Sequence, residues 1–206
     1  MSEDRKTAVA ALHRARILAA AETLFAQKGF DQTTIDDLSR ASGYSRRTIY
    51  AYYQNKGDIL LSCAAAGLRA LKADIEAALS RDSDFAARYF IVCDAMRSYH
   101  KNYPFSVGKI SSAEAPSAAA GEIYALGAEI NALLTGFIQE GQAAGAVRRN
   151  VLPEPAVYTL WAGIHGLIDI AAPKGTHIER QLGMDADAFL EYGFTQLLNG
   201  ILEERL

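Results

Sequence analysis

The sequence has few of the residues that build cross-linked or metal-bound folds. Its 206 residues include only two cysteines, Cys63 and Cys93, which form no CxxC or Cys/His pattern. We therefore expect neither a disulfide framework nor a zinc site. Lone cysteines are usually small core residues, and reduced thiols suit the cytoplasm. A redox role for either thiol stays open.

Long apolar runs and a leader-like start are also missing. Residues 1–7 are charged and lack the apolar segment of a signal peptide. No later stretch runs through 18 apolar residues without a polar interruption. We therefore expect no membrane span and a cytoplasmic location.

Catalytic and cofactor motifs are absent as well. The four histidines show no metal-ligand spacing, and neither a GxSxG motif nor a phosphate-binding glycine loop occurs. Asp169 lies four residues after His165, which a helical pair explains as well as catalysis does. The sequence predicts a protein that is not an enzyme and has no metal or cofactor.

Helical periodicity dominates what is present. Half of the residues are apolar, which indicates a folded chain, and strand-like alternation is nearly absent. We expect an all-α fold. The apolar stripes predict a first helix ending at Gly29, two short helices, a helix from Asn55 to about residue 80, and a helix from Phe85 to before Pro104. An irregular stretch is expected over 106–117. It is followed by a helix closed by Gly141 and Gly145, a helix from Pro153 to Pro173, and a terminal helix from Asp185 or Asp187.

Charge is distributed unevenly along the chain. Residues 1–56 contain nine Lys/Arg against six Asp/Glu, whereas the remainder contains 12 against 18. A basic first part on an acidic body is typical of a protein that contacts phosphates at one end.

The stretch from Thr34 to Tyr50 reads as a helix-turn-helix. Thr34 with Asp37 three residues later resembles a capping box at the start of the first short helix. Gly43 allows the sharp turn, because it adopts a positive φ without steric cost. Ser45 is then placed to cap the second short helix.

The first turn of that second helix carries Arg46, Arg47 and Thr48. Free N–H groups at a helix start favour phosphate, and arginine is the residue that reads guanine bidentately in the major groove. We therefore expect base contacts from this turn.

The segments on either side of the turn strengthen this interpretation. The second helix is followed by Tyr50, the pair Tyr52-Tyr53, Lys56 and Leu60, and the first helix ends in Phe25-Ala26-Gln27-Lys28-Gly29-Phe30 ahead of Thr33-Thr34. Together with Gly43, this pattern resembles the TetR family of transcriptional regulators. Tyr53 departs from it, because phenylalanine is commoner there. The resemblance weakens after about residue 62.

The resemblance implies a function and assigns roles. Thr34, Tyr50, Tyr52 and Lys56 would hold backbone phosphates, while Ser45, Arg46, Arg47 and Thr48 would face the groove of a double-stranded DNA operator. Residues 1–56 would form a three-helix DNA-binding head, and residues 57–206 a larger helical domain for effector binding and dimerisation. Residues 154–172 and 187–204 would pair with their copies in a homodimer. A small-molecule effector would relieve repression, although activation stays open.

The body carries one further family-like pattern. Trp161-Ala162-Gly163-Ile164-His165-Gly166 is similar to the tryptophan and histidine-glycine pattern of one TetR subgroup. Its small residues would allow close helix approach, at a dimer seam or in the core. We expect a largely apolar effector, bound by aromatic and polar-tipped side chains, although a plain core role explains them as well. These candidate residues are Tyr89, Met96, Tyr99, His100, Phe137, Trp161 and His165.

One other class of protein fits the helical pattern. A helical protein-interaction adaptor without DNA binding would share the caps and the turn. It predicts no salt-dependent binding to any duplex.

Overall fold

Helices account for nearly all of the regular structure. The computed structural model describes residues 3–104 and 118–204, where the chain forms eight helices and no strand. They are α1 (Glu3–Lys28), α2 (Ile35–Ser42), α3 (Arg46–Tyr52), α4 (Lys56–Leu79), α5 (Phe85–Asn102), α6 (Ala118–Ala143), α7 (Pro153–Leu182) and α8 (Ala186–Asn199). The all-α prediction is confirmed. The predicted irregular segment 106–117 lies outside the described residues.

The boundaries of the first three helices follow from local signals. Gly29 has φ 82°, so α1 ends where the sequence predicted. Thr34 and Asp37 form the predicted capping box, with each side chain accepting a hydrogen bond from the other residue's backbone N–H. Gly43 ends α2 in the left-handed region at φ 74°, and Ser45 caps α3 by accepting from Thr48 N–H.

The described residues fall into two compact units. The first comprises residues 3–69, 101–104 and 118–126, and the second comprises 70–100 and 127–204. This division falls inside α4, whereas the boundary expected after residue 56 falls at the start of that helix. A buried cluster in the first unit joins α1, α2, α3 and the first two turns of α4. Its members are Ile17, Ala21, Phe25, Leu38, Ile49, Tyr53, Ile59, Leu60 and Cys63.

Helix α7 is longer than the sequence indicated. The predicted stop at Pro173 is wrong, because the helix continues to Leu182 and ends at Gly183 with φ 68°. A proline inside a helix removes one backbone hydrogen bond and costs about 3 kcal/mol. Apolar residues on both sides of it, Ala171 and Ile178, are buried. We attribute the continuation to this packing, which offsets the loss of one bond.

Two other helix ends also differ from the predictions. Gly141 lies inside α6 rather than closing it. A Cβ at this position would approach Phe85 and Val147 to 2.7 Å, so the close packing requires glycine. Gly145, with φ 78°, forms the turn beyond α6. Helix α8 ends at Asn199 instead of continuing to 204, because Leu202 forms a β-bridge with Val147.

None of the helices among the described residues is long and apolar enough to cross a bilayer.

Candidate nucleic-acid interface and effector site

The outer face of α3 carries the residues expected to contact DNA. Arg47 is exposed and makes no hydrogen bond or ion pair within the described residues, and the Tyr50 side chain is 53% exposed. On the opposite face, Ile49 is fully buried in the cluster with α1 and α4. One face of this seven-residue helix therefore holds it on the unit, and the other presents a guanidinium and a phenol to solvent.

Arg46 is held by an acidic neighbour that the sequence analysis did not consider. Its guanidinium forms an ion pair with Asp36 of α2, and both side chains are more than half exposed. Exposed ion pairs of this kind contribute little stability. The Arg46 guanidinium can therefore leave this carboxylate at little cost in stability.

Thr34 lies at the start of α2 in a network centred on Asp37. The Asp37 carboxylate accepts hydrogen bonds from Lys28, from the Thr34 backbone N–H and hydroxyl, and from Arg40. The Lys28 ammonium contributes most to lowering the pKa of Asp37, and these donors together hold that pKa well below its usual range. The start of α2 is thus fixed before any ligand arrives.

Lys56 lies in an environment that its expected role did not suggest. Its ammonium donates to the carbonyl oxygens of Phe30 at 2.7 Å and Thr33 at 2.8 Å, and it lies 4.2 Å from the centre of the Phe30 ring. The side chain therefore fastens the loop between α1 and α2. Any contact with phosphate would be made from this position.

Tyr52 is joined to α1 rather than free. Its hydroxyl lies 2.9 Å from Nδ1 of His13, and the two rings meet edge to face at 5.6 Å. The guanidinium of Arg14 lies 5.7 Å from the Tyr52 ring centre. Sequence reasoning missed His13 and Arg14, because a contact across 39 residues leaves no short-range pattern.

An apolar cavity lies within the second unit. It encloses about 30 Å³, which is space for about two water molecules. Of the seven candidate effector residues, Tyr89, Met96, Phe137 and Trp161 line it. The other lining residues are Val92, Leu134, Ile138, Val157, Leu160 and Ile164.

The remaining candidates lie off the cavity wall. His100 Nε2 and His165 Nδ1 are 2.7 Å apart, and His100 Nδ1 lies 3.0 Å from the carbonyl oxygen of Met96. Burial, followed by the nearby His100, lowers the pKa of His165 to about 4. The His165 ring also packs against Trp161, at 4.8 Å between ring centres. Tyr99 is buried on α5.

Comparison with known proteins agrees with this architecture. The profile of bacterial regulatory proteins of the TetR family matches residues 17–63. Over 44 residues the chain is 41% identical to the biofilm operon negative regulator IcaR of Staphylococcus epidermidis, covering 21% of this chain and 24% of IcaR. The TetR-family regulator PfmR of Thermus thermophilus has a similar fold, with a TM-score of 0.69, 26% identity, and coverage of 92% of this chain and 100% of PfmR.

Residues 17–63 are therefore similar to the DNA-binding unit of TetR-family regulators. The match to the curated relatives spans only about a quarter of their own length, so it concerns the helix-turn-helix unit. A further structure with this fold is FadR of Bacillus subtilis in complex with stearoyl-CoA, at 19% identity, a TM-score of 0.66, and coverage of 91% and 98% of the two chains.

The second unit also presents an apolar groove on α7 and α8. Gly163 lies under Leu197 of α8, and Gly193 lies under Leu167 of α7, so the glycines bring the two helices close together. Gly166 has no neighbour within 4 Å of a Cβ position and lines the groove. Of the small residues noted in the sequence, Gly163 therefore lies at the contact between α7 and α8, whereas Gly166 has open space beside it.

Proposed function

We propose that this protein is a TetR-type DNA-binding transcriptional repressor that a small, largely apolar effector releases from its operator. The observation that carries the proposal is the exposed face of α3, where Arg47 and Tyr50 project from a helix anchored by Ile49. Capping at Thr34 and Ser45 supports the same interpretation, because it fixes both short helices before DNA is bound.

The operator would be a pseudo-palindrome bound by a homodimer. Two copies of α3 would enter successive major grooves about 34–36 Å apart. The groove on α7 and α8 supports the dimer, because it leaves large apolar side chains exposed, including Tyr192 at 59% and Ile170 at 45%. All ten described residues that line this groove fall within the interface expected over 154–172 and 187–204.

The effector would occupy the apolar cavity in an expanded form. Pockets for small molecules usually measure about 300–1,000 Å³, so a cavity of about 30 Å³ must open to admit one. Its wall is made of apolar and aromatic side chains, which favours an apolar ligand. FadR, a protein of the same fold, was solved in complex with stearoyl-CoA, which carries a long acyl chain. Coupling between effector and DNA would amount to about 1–3 kcal/mol.

A salt titration tests the DNA-binding part of this proposal. We expect a labelled duplex, selected from a random library by the protein, to bind less tightly as the salt concentration rises. The logarithm of the binding constant should fall with the logarithm of the salt concentration, with a slope of about 0.9 for each phosphate contact. Replacing both Arg46 and Arg47 by Ala should weaken binding about tenfold or more. The matched control is Arg149→Ala, which removes an exposed arginine of the second unit. A helical adaptor would instead show no salt-dependent binding.

A further inference from the structure

A cluster of aromatic side chains joins α1, the turn before α3, and α3 itself. His13 is half-buried between two tyrosine rings, with Tyr44 at 4.8 Å and Tyr52 at 5.6 Å between ring centres. Its Nδ1 lies 2.9 Å from the Tyr52 hydroxyl. Packing on both sides fixes the imidazole, so this hydrogen bond is a defined feature rather than a chance surface contact.

The direction of this bond decides what Tyr52 can offer to DNA. If Nδ1 carries no proton, it accepts the Tyr52 O–H, and the phenol has no proton left to donate. If Nδ1 carries a proton, it donates to the phenol oxygen, and the Tyr52 O–H is free to point elsewhere. A phosphate oxygen only accepts hydrogen bonds, so it requires the second arrangement.

Two forms of His13 carry a proton on Nδ1, namely one neutral tautomer and the imidazolium. Histidine is the side chain that changes charge between about pH 5 and 8. Two guanidinium groups carry positive charge near this cluster: that of Arg14 lies 5.7 Å from the Tyr52 ring centre, and that of Arg16 lies 5.6 Å from the Tyr44 ring centre. The titratable groups that face the imidazole are Tyr44 and Tyr52. An arriving phosphate brings the negative charge that stabilises an imidazolium among these cations.

We infer that His13 is a positioning residue for the Tyr52 hydroxyl, and that phosphate binding at Tyr52 favours a proton on His13 Nδ1. The inference rests on the proposed DNA-binding function and adds a residue of α1 to it. DNA binding is then linked to proton uptake, so affinity rises as the pH falls. Uptake of one whole proton would change the dissociation constant about tenfold per pH unit. The neutral tautomer with a proton on Nδ1 needs no uptake, so its presence makes the change smaller than this limit.

The test measures duplex affinity at pH 6, 7 and 8 and constant ionic strength, for the wild type and three variants. Tyr52→Phe removes the hydroxyl and keeps the ring, and His13→Gln removes the imidazole and keeps polar hydrogen-bonding atoms. Tyr50→Phe is the matched control, because it removes an exposed phenol from the same helix without touching His13. Thermal unfolding of each variant checks that its fold is intact.

We expect wild-type and Tyr50→Phe affinities to rise by about threefold or more between pH 8 and pH 6. Tyr52→Phe and His13→Gln should lose most of that rise. If Tyr52→Phe binds DNA with the full wild-type pH dependence, the link between the two side chains is overturned, while the proposed function stands. If the wild type binds no duplex at any pH, the proposed function fails together with this inference.

Discussion

At the scale of single residues, a substitution of Lys56 affects the stability of the protein as well as any contact with DNA. Its ammonium donates to carbonyl oxygens of the loop that leads into α2. Loss of the charge therefore removes internal hydrogen bonds as well as any phosphate contact. Stability and DNA binding must be measured separately at this position.

Lys56→Met tests the internal role, because methionine keeps an unbranched side chain and loses the ammonium. We expect the free energy of unfolding to fall by about 1–3 kcal/mol, since hydrogen bonds from a charged donor contribute more than neutral ones. Urea denaturation measures it. The matched control, Lys101→Met, replaces an exposed lysine and should change stability by less than about 0.5 kcal/mol. Equal stability of the two variants would refute the role given to the loop carbonyls.

His165 should make the protein sensitive to mild acid. Its pKa lies near 4 in the folded protein, below the ordinary value of 6.5, mainly because of burial. Between pH 6.5 and pH 4 the unfolded chain takes up a proton on His165 that the folded chain does not. The stability that the neutral histidine allows is therefore fully present above pH 6.5 and is lost as the pH falls toward 4.

His165→Gln should lose less stability than the wild type between pH 6.5 and pH 4. The glutamine amide can still donate to His100, but it does not titrate. Denaturant unfolding at several pH values gives the comparison, and His177→Gln, which replaces an exposed histidine, should retain the wild-type profile. Parallel losses in wild type and His165→Gln would contradict the assignment.

At the scale of elements, locally encoded ends were predictable. The stop of α1 at Gly29 and the caps of α2 and α3 depend on residues within four positions, so the sequence alone indicated them. The continuation of α7 through Pro173 depends on packing over a longer distance, and the early end of α8 depends on pairing with Val147. No local pattern reports such contacts.

The pairing of α7 with α8 depends on two glycines. A Cβ at Gly163 would lie 2.7 Å from Cδ2 of Leu197, so Gly163→Ala forces that side chain to move. Overpacking costs about 1–3 kcal/mol, and the better helix propensity of alanine returns about 1. We expect a net loss of about 1 kcal/mol in thermal or urea unfolding.

Gly136→Ala is the control for this substitution, because nothing lies within 4 Å of a Cβ at that helical position. It should leave stability unchanged or raise it by up to about 1 kcal/mol. If Gly163→Ala proves as stable as Gly136→Ala, the close approach of the two helices is not a determinant of the fold.

At the scale of the whole molecule, the proposed dimer should depend on the α7–α8 groove. Tyr192→Glu places a carboxylate on its exposed apolar surface and should convert a dimer into a monomer at micromolar concentration. Analytical ultracentrifugation measures the mass. Tyr124→Glu, at a still more exposed tyrosine of α6, should remain dimeric. A monomeric wild type would contradict the two-headed docking arrangement.

The candidate DNA interface was only partly predictable from the sequence. The exposed positions of Arg47 and Tyr50 follow from their spacing around Ile49, which must be buried. The partners of Arg46, Tyr52 and Lys56 come from segments 10 to 39 residues away, so only the folded chain identifies them. The candidate effector residues were also only partly predictable, because Trp161 lines the cavity whereas His165 lies against His100.

Sequence selection from a random duplex library tests the central claim most directly. The purified wild type should enrich an inverted repeat with half-sites about one helical turn or a multiple of it apart. Arg46→Ala and Arg47→Ala should each relax the preference at about one or two base pairs of every half-site, while Arg149→Ala leaves the profile unchanged. No enrichment by the wild type, or an identical site from all four proteins, would contradict the account.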